Sequence, residues 1–334
     1  MKAIVIATAF GLDNLIFEDR PVPQAGPGQV LVRVRAVSLN YRDLLVAKGL
    51  YNPKLKLPRV LGSDAAGEVV AVGEGVTSFA PGDRVVGCFM PAWETGPITD
   101  AAVRSALGDG RDGVFAEYVV FEQQGLLPVP GDLSYEEAAT LPCAAVTAWN
   151  ALVGGRCGPG QTVLLLGTGG VSIFALQFAR ALGARVLMTS GSDEKLARAR
   201  SLGATDGINY RSHPDWEKWA REQTGGKGVD LVVEVGGAGT LERSVKAVRL
   251  GGYVALVGVL AGPAAFNPIL LLMKAVTLQG VFVGSRSMFE DMNRLIVGEG
   301  IKPVIDRVFP FAEAAAALRY LESGAHFGKV VLRL

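Results

Sequence analysis

The sequence predicts an α/β protein in two parts, an irregular β-barrel and a doubly wound parallel-sheet domain. Three observations predict it. Residues 1–124 read as short strands broken by glycine and proline turns. From residue 125 to 284, short apolar runs alternate with helical segments, the rhythm of a parallel sheet. Residues 285–334 then regain strand content, so the first domain is expected to be discontinuous, 1–124 with 285–334.

The elements follow in order. Met1-Lys2-Ala3-Ile4-Val5-Ile6 opens as a strand. Pro21, Pro23, Gly26 and Pro27 mark a loop. The segment 30–37 alternates apolar and basic residues with the period of a half-exposed strand. Shorter strands are expected at 67–72, 84–87 and 115–121, separated by turns such as Pro81-Gly82-Asp83. In the second part, apolar runs at 162–166, 185–189, 229–235, 253–258 and 277–283 read as strands. Helical segments fall at 171–182, 193–202, 214–224, 241–250 and, disturbed by proline, 268–274. Gly183, Gly203 and Gly251 follow three of them as C-terminal caps should. The tail adds helices at 290–298 and 312–323 and a strand at 329–334, and the chain carries no internal repeat.

Composition excludes several function classes. Lys and Arg number 33 against 32 Asp and Glu, so no nucleic acid or anionic membrane surface is expected as partner. No apolar run reaches the roughly 18 residues that span a bilayer. The opening apolar run is too short for a secretory signal, and a cytoplasmic protein is expected. Cys88, Cys143 and Cys157 are odd in number and far apart, which indicates no disulfide framework. With only His213 and His326 as histidines and no Cys/His cluster, no metal motif is present, and these residues read as packing.

The chemistry-bearing motif is a glycine loop. Val163-Leu164-Leu165-Leu166 runs into Gly167-Thr168-Gly169-Gly170-Val171-Ser172, and a helix follows. Gly167 suits the tight turn, Gly169 lets backbone approach a pyrophosphate, and the N–H groups of Gly170 and Val171 open the helix towards that anion. A lone G-x-G is weak; here it follows a strand, precedes a helix and sits among repeated βα units, as a Rossmann dinucleotide site requires. Ser172 replaces the third glycine, which is tolerable if the helix lies slightly farther from the sheet.

The second strand bears on which dinucleotide is bound. An NAD site places an acid about 20 residues after the loop to hold the ribose 2′-hydroxyl. Here the strand ends Met188-Thr189-Ser190-Gly191-Ser192 without one. Ser190 can donate to a 2′-phosphate and Lys195 can neutralise it. Asp193 and Glu194 come later and suit a helix N-terminus. NADPH is favoured over NADH, with NADH still open; a solvated helix face is the other reading of Lys195.

Over nearly its whole length the sequence resembles the medium-chain dehydrogenase/reductase superfamily. The resemblance rests on Asn40-Tyr41-Arg42-Asp43, Leu61-Gly62-Ser63-Asp64-Ala65-Ala66-Gly67-Glu68-Val69, Pro81-Gly82-Asp83-Arg84-Val85 and Ala138-Ala139-Thr140-Leu141-Pro142. It continues through Thr147-Ala148, the Gly167 loop, Leu202-Gly203-Ala204, Ile208-Asn209-Tyr210 and Gly328-Lys329-Val330-Val331-Leu332. It implies a GroES-like β-barrel domain with an inserted Rossmann domain. Zinc alcohol dehydrogenases of the family carry Cys where this chain has Asn40 and His where it has Ser63. Only Cys143 matches a catalytic zinc ligand, and a site needs three. The structural-zinc lobe has no counterpart, since 88–113 holds a single cysteine. The sequence is most similar to the zinc-free quinone oxidoreductase and enone reductase branch.

That resemblance implies hydride transfer from NADPH, without zinc, to a quinone or an α,β-unsaturated carbonyl. It puts a proton donor at Tyr51, with an ordinary loop aromatic as the other reading, and makes Asn40 orient substrate or nicotinamide. Asp43 reads as a helix cap and Tyr41 as packing. Thr147 would face the nicotinamide or pyrophosphate, and Tyr210 would flank the adenosine phosphate with Ser190 and Lys195. Val257-Gly258-Val259 and Phe282-Val283 would line the nicotinamide end. The apolar loop Phe89-Met90-Pro91-Ala92-Trp93 is assigned to the substrate mouth. Two alternatives stay open: a zinc-type alcohol dehydrogenase acting on alcohols or aldehydes, and a non-catalytic NADPH-binding sensor or scaffold. The apolar edge strand at 277–283 predicts a homodimer or homotetramer.

Overall fold

The computed structural model describes residues 1–258 and 265–334; Val259 lies outside the described residues. The chain divides into two compact units, Met1–Val146 with Gly284–Leu334, and Thr147–Val283.

The first unit begins with β1 (Lys2–Ile6), β2 (Leu15–Asp19), β3 (Gln29–Ser38), α1 (Tyr41–Ala47), β4 (Arg59–Val60), β5 (Asp64–Val72) and β6 (Arg84–Gly87). It continues with α2 (Asp100–Arg104), β7 (Tyr118–Glu122), β8 (Leu126–Pro128) and α3 (Tyr135–Ala139). A small sheet has the order β2-β1-β4, and a larger, mostly antiparallel one is built on β3, which pairs with β5 and β7. β3 is less exposed than the half-exposed strand expected, because Leu31, Ala36 and Ser38 are buried along with the valines. Val30, Val32, Val34 and Val37 are buried while Arg33 is exposed, and the Arg35 guanidinium meets the Glu68 carboxylate on β5 at 2.9 Å. Burying each such valine contributes about 1.5–3 kcal/mol. The strand expected at 115–121 is displaced to Tyr118–Glu122, because Phe115 is wholly buried in the barrel core instead.

The second unit follows as α4 (Val146–Gly154, which starts at the division), β9 (Thr162–Leu166), α5 (Gly170–Ala181), β10 (Arg185–Ser190), α6 (Asp193–Ser201) and β11 (Asp206–Asn209). Then come α7 (Trp216–Glu222), β12 (Val229–Glu234), α8 (Leu241–Ala247), β13 (Val248–Leu256), α9 (Ile269–Lys274) and β14 (Thr277–Gly280). Among the described residues the parallel sheet has the order β11-β10-β9-β12-β13-β14. This is the doubly wound order, and its direction reverses between β9 and β12. Residues 163–166 of β9 and 231–234 of β12 are buried on both sheet faces, as covered parallel strands are. Gly183 and Gly203 take positive φ directly after the C-caps of α5 and α6. Gly251 does not cap α8: that helix stops at Ala247, and Gly251 lies inside β13, which starts earlier than expected.

The tail supplies α10 (Arg286–Glu299), β15 (Ile305–Pro310), α11 (Ala314–Glu322) and β16 (Lys329–Arg333). β16 pairs antiparallel with β3 and parallel with β15, so the tail adds two strands to the sheet of the first unit. The division differs from 124/125 for a physical reason. Residues 126–128 form β8 against β6, and α3 packs on β3, β5 and β16. The first unit therefore keeps the chain as far as Val146.

Candidate active site

In the second unit, the carboxyl ends of the parallel strands gather most of the cofactor residues expected from sequence. β9 ends at Leu166, and Gly167 turns the chain at φ 72, a left-handed conformation that favours glycine. Gly169 is the N-cap of α5 and has no side chain with which to cap it. The N–H groups of Gly170 and Val171 therefore open a twelve-residue helix without a side-chain cap, which fits a pyrophosphate. Ser172 is buried, and its Oγ donates to the Leu166 carbonyl at 2.7 Å. The hydroxyl ties helix to strand, so the departure from glycine is accommodated by a bond.

β10 ends at Ser190, buried, whose Oγ accepts the Ser192 N–H at 3.3 Å. The Tyr210 N–H donates to the Ser190 carbonyl at 3.0 Å. A Cβ on Gly191 would lie 2.8 Å from Tyr210 Oη and 2.9 Å from Arg211 Nε, so phenol and guanidinium both stand against this turn. Lys195, half-buried, lies in the first turn of α6, whose N-cap Ser192 accepts its N–H at 3.3 Å. Asp193 accepts the Asn209 amide at 3.1 Å and Glu194 is exposed. Arg211 is the residue that sequence reasoning missed; its only signal is adjacency to Asn209-Tyr210.

Farther along the same edge, the N–H groups of Val257 and Gly258 donate to the Glu234 carbonyl at 2.9 and 3.0 Å. A Cβ on Gly258 would fall 1.5 Å from the Val235 carbonyl oxygen, so only glycine fits against β12. Phe282 and Val283 follow β14 instead of lying in it, because the strand ends at Gly280. Val283 is buried with φ 56, unusual for a β-branched residue, and its carbonyl accepts Asn150 Nδ2 at 2.7 Å. Thr147 is buried at the start of α4.

The first unit holds the residues expected to act on substrate. Asn40 precedes α1, and its N–H donates to Asp43 Oδ2 at 2.8 Å, which confirms Asp43 as a cap. Lys329, on β16, is buried and donates from Nζ to Asn40 Oδ1 at 2.6 Å and to the Leu39 carbonyl at 2.7 Å. Asn40 Nδ2 faces Ser63 Oγ at 3.5 Å, Ser63 donates to Asp64 Oδ1 at 2.7 Å, and Asp64 Oδ2 accepts the Cys143 N–H at 3.0 Å. Burial raises the Asp64 carboxyl above its usual range, while Lys329, Ser63, Asn40 and the Cys143 N–H pull it back. Burial, reinforced by Asp64, pushes the Cys143 thiol up, which holds it as a neutral thiol.

Tyr51 is half-buried and packs against the hydrophobic core of the first unit. The Arg42 guanidinium lies 5.0 Å from its ring centroid and 4.8 Å from that of Phe89, and Nη1 donates to the Leu107 carbonyl at 2.8 Å. The loop assigned to the substrate mouth is thus packed inward, with Phe89, Met90 and Trp93 buried, and is tied to the start of α10 through the Arg286 N–H and the Trp93 carbonyl at 2.9 Å. Its apolar character serves the core. Tyr41, expected to pack, is 39% exposed on the first turn of α1.

The zinc implied for part of the family does not fit this locus. Asn40 and Ser63 are neutral, Cys143 is the one thiol, and an ammonium sits 2.6 Å from Asn40 Oδ1. Among the described residues no group of three or more His, Cys, Asp or Glu could hold a metal ion.

Comparison with known proteins agrees with the architecture. Residues 26–131 match the model of the alcohol dehydrogenase GroES-like domain, and 170–298 that of the zinc-binding dehydrogenase. A zinc-type alcohol dehydrogenase-like protein of Schizosaccharomyces pombe is 48% identical, over 100% of this chain and 99% of its own. A 2-haloacrylate reductase of a Burkholderia species is 32% identical (99% and 98% covered), and the quinone oxidoreductase of Lama guanicoe 31% (100% and 98%). Among solved structures, an NAD-dependent alcohol dehydrogenase is 40% identical with a TM-score of 0.91, and a mycobacterial protein complexed with NADPH is 30% identical with 0.85, each covering 100% of both chains. The chain belongs to the medium-chain dehydrogenase/reductase superfamily and is an NAD(P)H-dependent oxidoreductase.

Proposed function

We propose that this chain is a zinc-independent reductase that uses NADPH to reduce quinones or α,β-unsaturated carbonyls. The observation that carries the reading is the buried chain of hydrogen bonds Lys329–Asn40–Ser63–Asp64, in which the Asn40 amide and the Ser63 hydroxyl, held beside an ammonium, stand at the positions where a metal would need anionic or imidazole ligands. Without a Lewis acid, the acceptor must be one whose reduction needs only a hydrogen-bond donor and a proton.

When bound, the dinucleotide supplies a hydride. The division of labour among this chain's residues then follows from their chemistry. Ser190, Lys195, Tyr210 and Arg211 suit a 2′-phosphate, the group that distinguishes NADPH. Gly167, Gly169, Gly170 and Val171 suit the pyrophosphate; Thr147, Val257, Gly258, Phe282 and Val283 suit the nicotinamide end. Asn40 Nδ2 donates to the acceptor's carbonyl oxygen as that oxygen gains enolate or phenolate character. Tyr51 Oη delivers the proton that completes the saturated carbonyl or hydroquinone. NADH is the competing cofactor, favoured by the NAD-dependent relative of known structure. Reduction of an aldehyde is the competing reaction, favoured by the alcohol dehydrogenase names among the relatives.

The same reading makes the protein a homodimer through β14. Among the described residues that strand is the edge of its sheet, and α9 beside it presents Leu272 and Met273 at 78% and 72% exposure with no buried residue among its six. NADPH oxidation followed at 340 nm against a panel of quinones, enones and aldehydes tests the activity. Turnover of quinones or enones is expected; tight NADPH binding with no acceptor able to oxidise it would replace the reading with that of a sensor.

A further inference from the structure

Lys329 is the cation on which the Asn40–Asp64 network turns, yet it is not among the groups that meet the acceptor. Its side chain is buried and comes from β16, at the far end of the chain. An ammonium has donors only, so the atom that faces it at 2.6 Å must be the oxygen of the Asn40 amide. The amide is thereby fixed in one of its two flip states. Its Nδ2 is turned to Ser63 Oγ at 3.5 Å, and Ser63, having given its proton to Asp64 at 2.7 Å, can only accept. Nδ2 thus has Ser63 and Asp64 as its acceptors, and the Ser63 contact is at the limit of a hydrogen bond, so an acceptor's carbonyl oxygen can take that proton in its place.

We infer that Lys329 is a positioning residue: it locks the Asn40 amide with Nδ2 as the donor presented to the acceptor's carbonyl oxygen, and polarises it for that task. An amide whose oxygen bonds an ammonium shifts electron density from nitrogen to oxygen, which strengthens its N–H as donor. With the amide flipped, Asn40 would present a lone pair to a developing enolate, and stabilisation would turn to repulsion. The inference rests on the reductase reading, and its test is arranged so that the two fail separately.

Four proteins are compared: wild type, Lys329→Met, Asn40→Ala and the double variant. Losing one oriented donor costs on the order of 10²-fold in enzymes that stabilise an oxyanion. Lys329→Met is therefore expected to lower kcat for an enone about 10- to 100-fold while the NADPH Kd, read by fluorescence, stays within twofold. In the Asn40→Ala background the same change is expected to do nothing further, because Lys329 acts through that amide. Losses that multiply would mean that Lys329 serves the fold independently, and would overturn the inference, as would an unchanged kcat. Should Lys329→Met fail to fold because Asp64 loses its counter-charge, the charge-balanced Lys329→Met/Asp64→Asn protein takes its place, with the same expectations. Independently of activity, ¹⁵N-asparagine spectra of the cofactor-free protein report the Asn40 side-chain amide, assigned by its disappearance in Asn40→Ala. Two well-separated, slowly exchanging Nδ2 protons that collapse towards random-coil shifts without Lys329 support the lock. An Asn40 signal indifferent to Lys329 refutes it, even if no enone is turned over.

Discussion

Asp43 offers a quantitative test of how the first unit is held together. Its carboxylate is buried at the first turn of α1 with one oxygen bonded to the Asn40 N–H at 2.8 Å, while Oδ1 has no hydrogen-bond partner and lies 3.9 Å from Arg42 Nη1. Burial pushes this carboxyl up to about 7, against the pull of Arg42, the Asn40 N–H and Lys329; the nearby Asp64 adds to the rise. An unfolded aspartate titrates near 4. Between those values the native state holds a proton that the unfolded chain has released, so stability falls as pH rises through the window and levels off above about 7. At about 1.36 kcal/mol per unit, the two units from pH 5 to the native value give a ceiling near 2.7 kcal/mol, and relaxation around the charge reduces this to about 2 kcal/mol. Amide exchange of β3 and β5, corrected for its intrinsic pH dependence, reads the opening free energy of this unit at pH 5 and pH 8. The wild type should lose about 2 kcal/mol more than Asp43→Asn over that range. Equal losses in the two proteins would refute the reasoning.

Three other predictions concern the second unit. Gly258→Ala places a Cβ 1.5 Å from the Val235 carbonyl oxygen, so thermal unfolding should show a loss of more than about 2 kcal/mol and a weakened NADPH complex; a wild-type melting temperature would contradict the close approach. Ser190→Asp puts an acid at the end of β10, where an NAD site has one, and should move the NADPH/NADH ratio of kcat/KM towards NADH by about 100-fold. An unmoved ratio would take Ser190 out of the 2′-phosphate site. Leu272→Glu with Met273→Glu should convert the proposed dimer to monomer in light scattering at micromolar concentration, an expectation lost if the wild type is itself monomeric.

How much the sequence revealed depended on whether the signal was local. The strands of the second unit were legible because a parallel strand covered on both faces has a continuous apolar stretch, as 163–166 and 186–188 show. β11 was not, since Asp206-Gly207-Ile208-Asn209 is polar and only half-buried at the sheet edge. Gly251 and Gly252 disguised the first half of β13, because glycine after a helical pattern reads as a cap. The loop at 89–93 shows the opposite failure: its apolar residues suggested a mouth, while Phe89, Met90 and Trp93 are buried. In the candidate site, the glycine loop and Ser190 carried fixed spacing and could be named. The contact between Lys329 and Asn40 spans 289 residues, and no periodicity joins them; only β16 beside β3 brings them together.

The central claim, hydride transfer from NADPH to an activated acceptor without zinc, is tested most directly by single-turnover stopped flow on protein stripped with a chelator and checked by metal analysis. The account predicts that metal-free protein oxidises bound NADPH on mixing with a quinone or enone, at a rate unchanged by added zinc. Oxidation that requires stoichiometric zinc, or that occurs only with aldehydes, would contradict it.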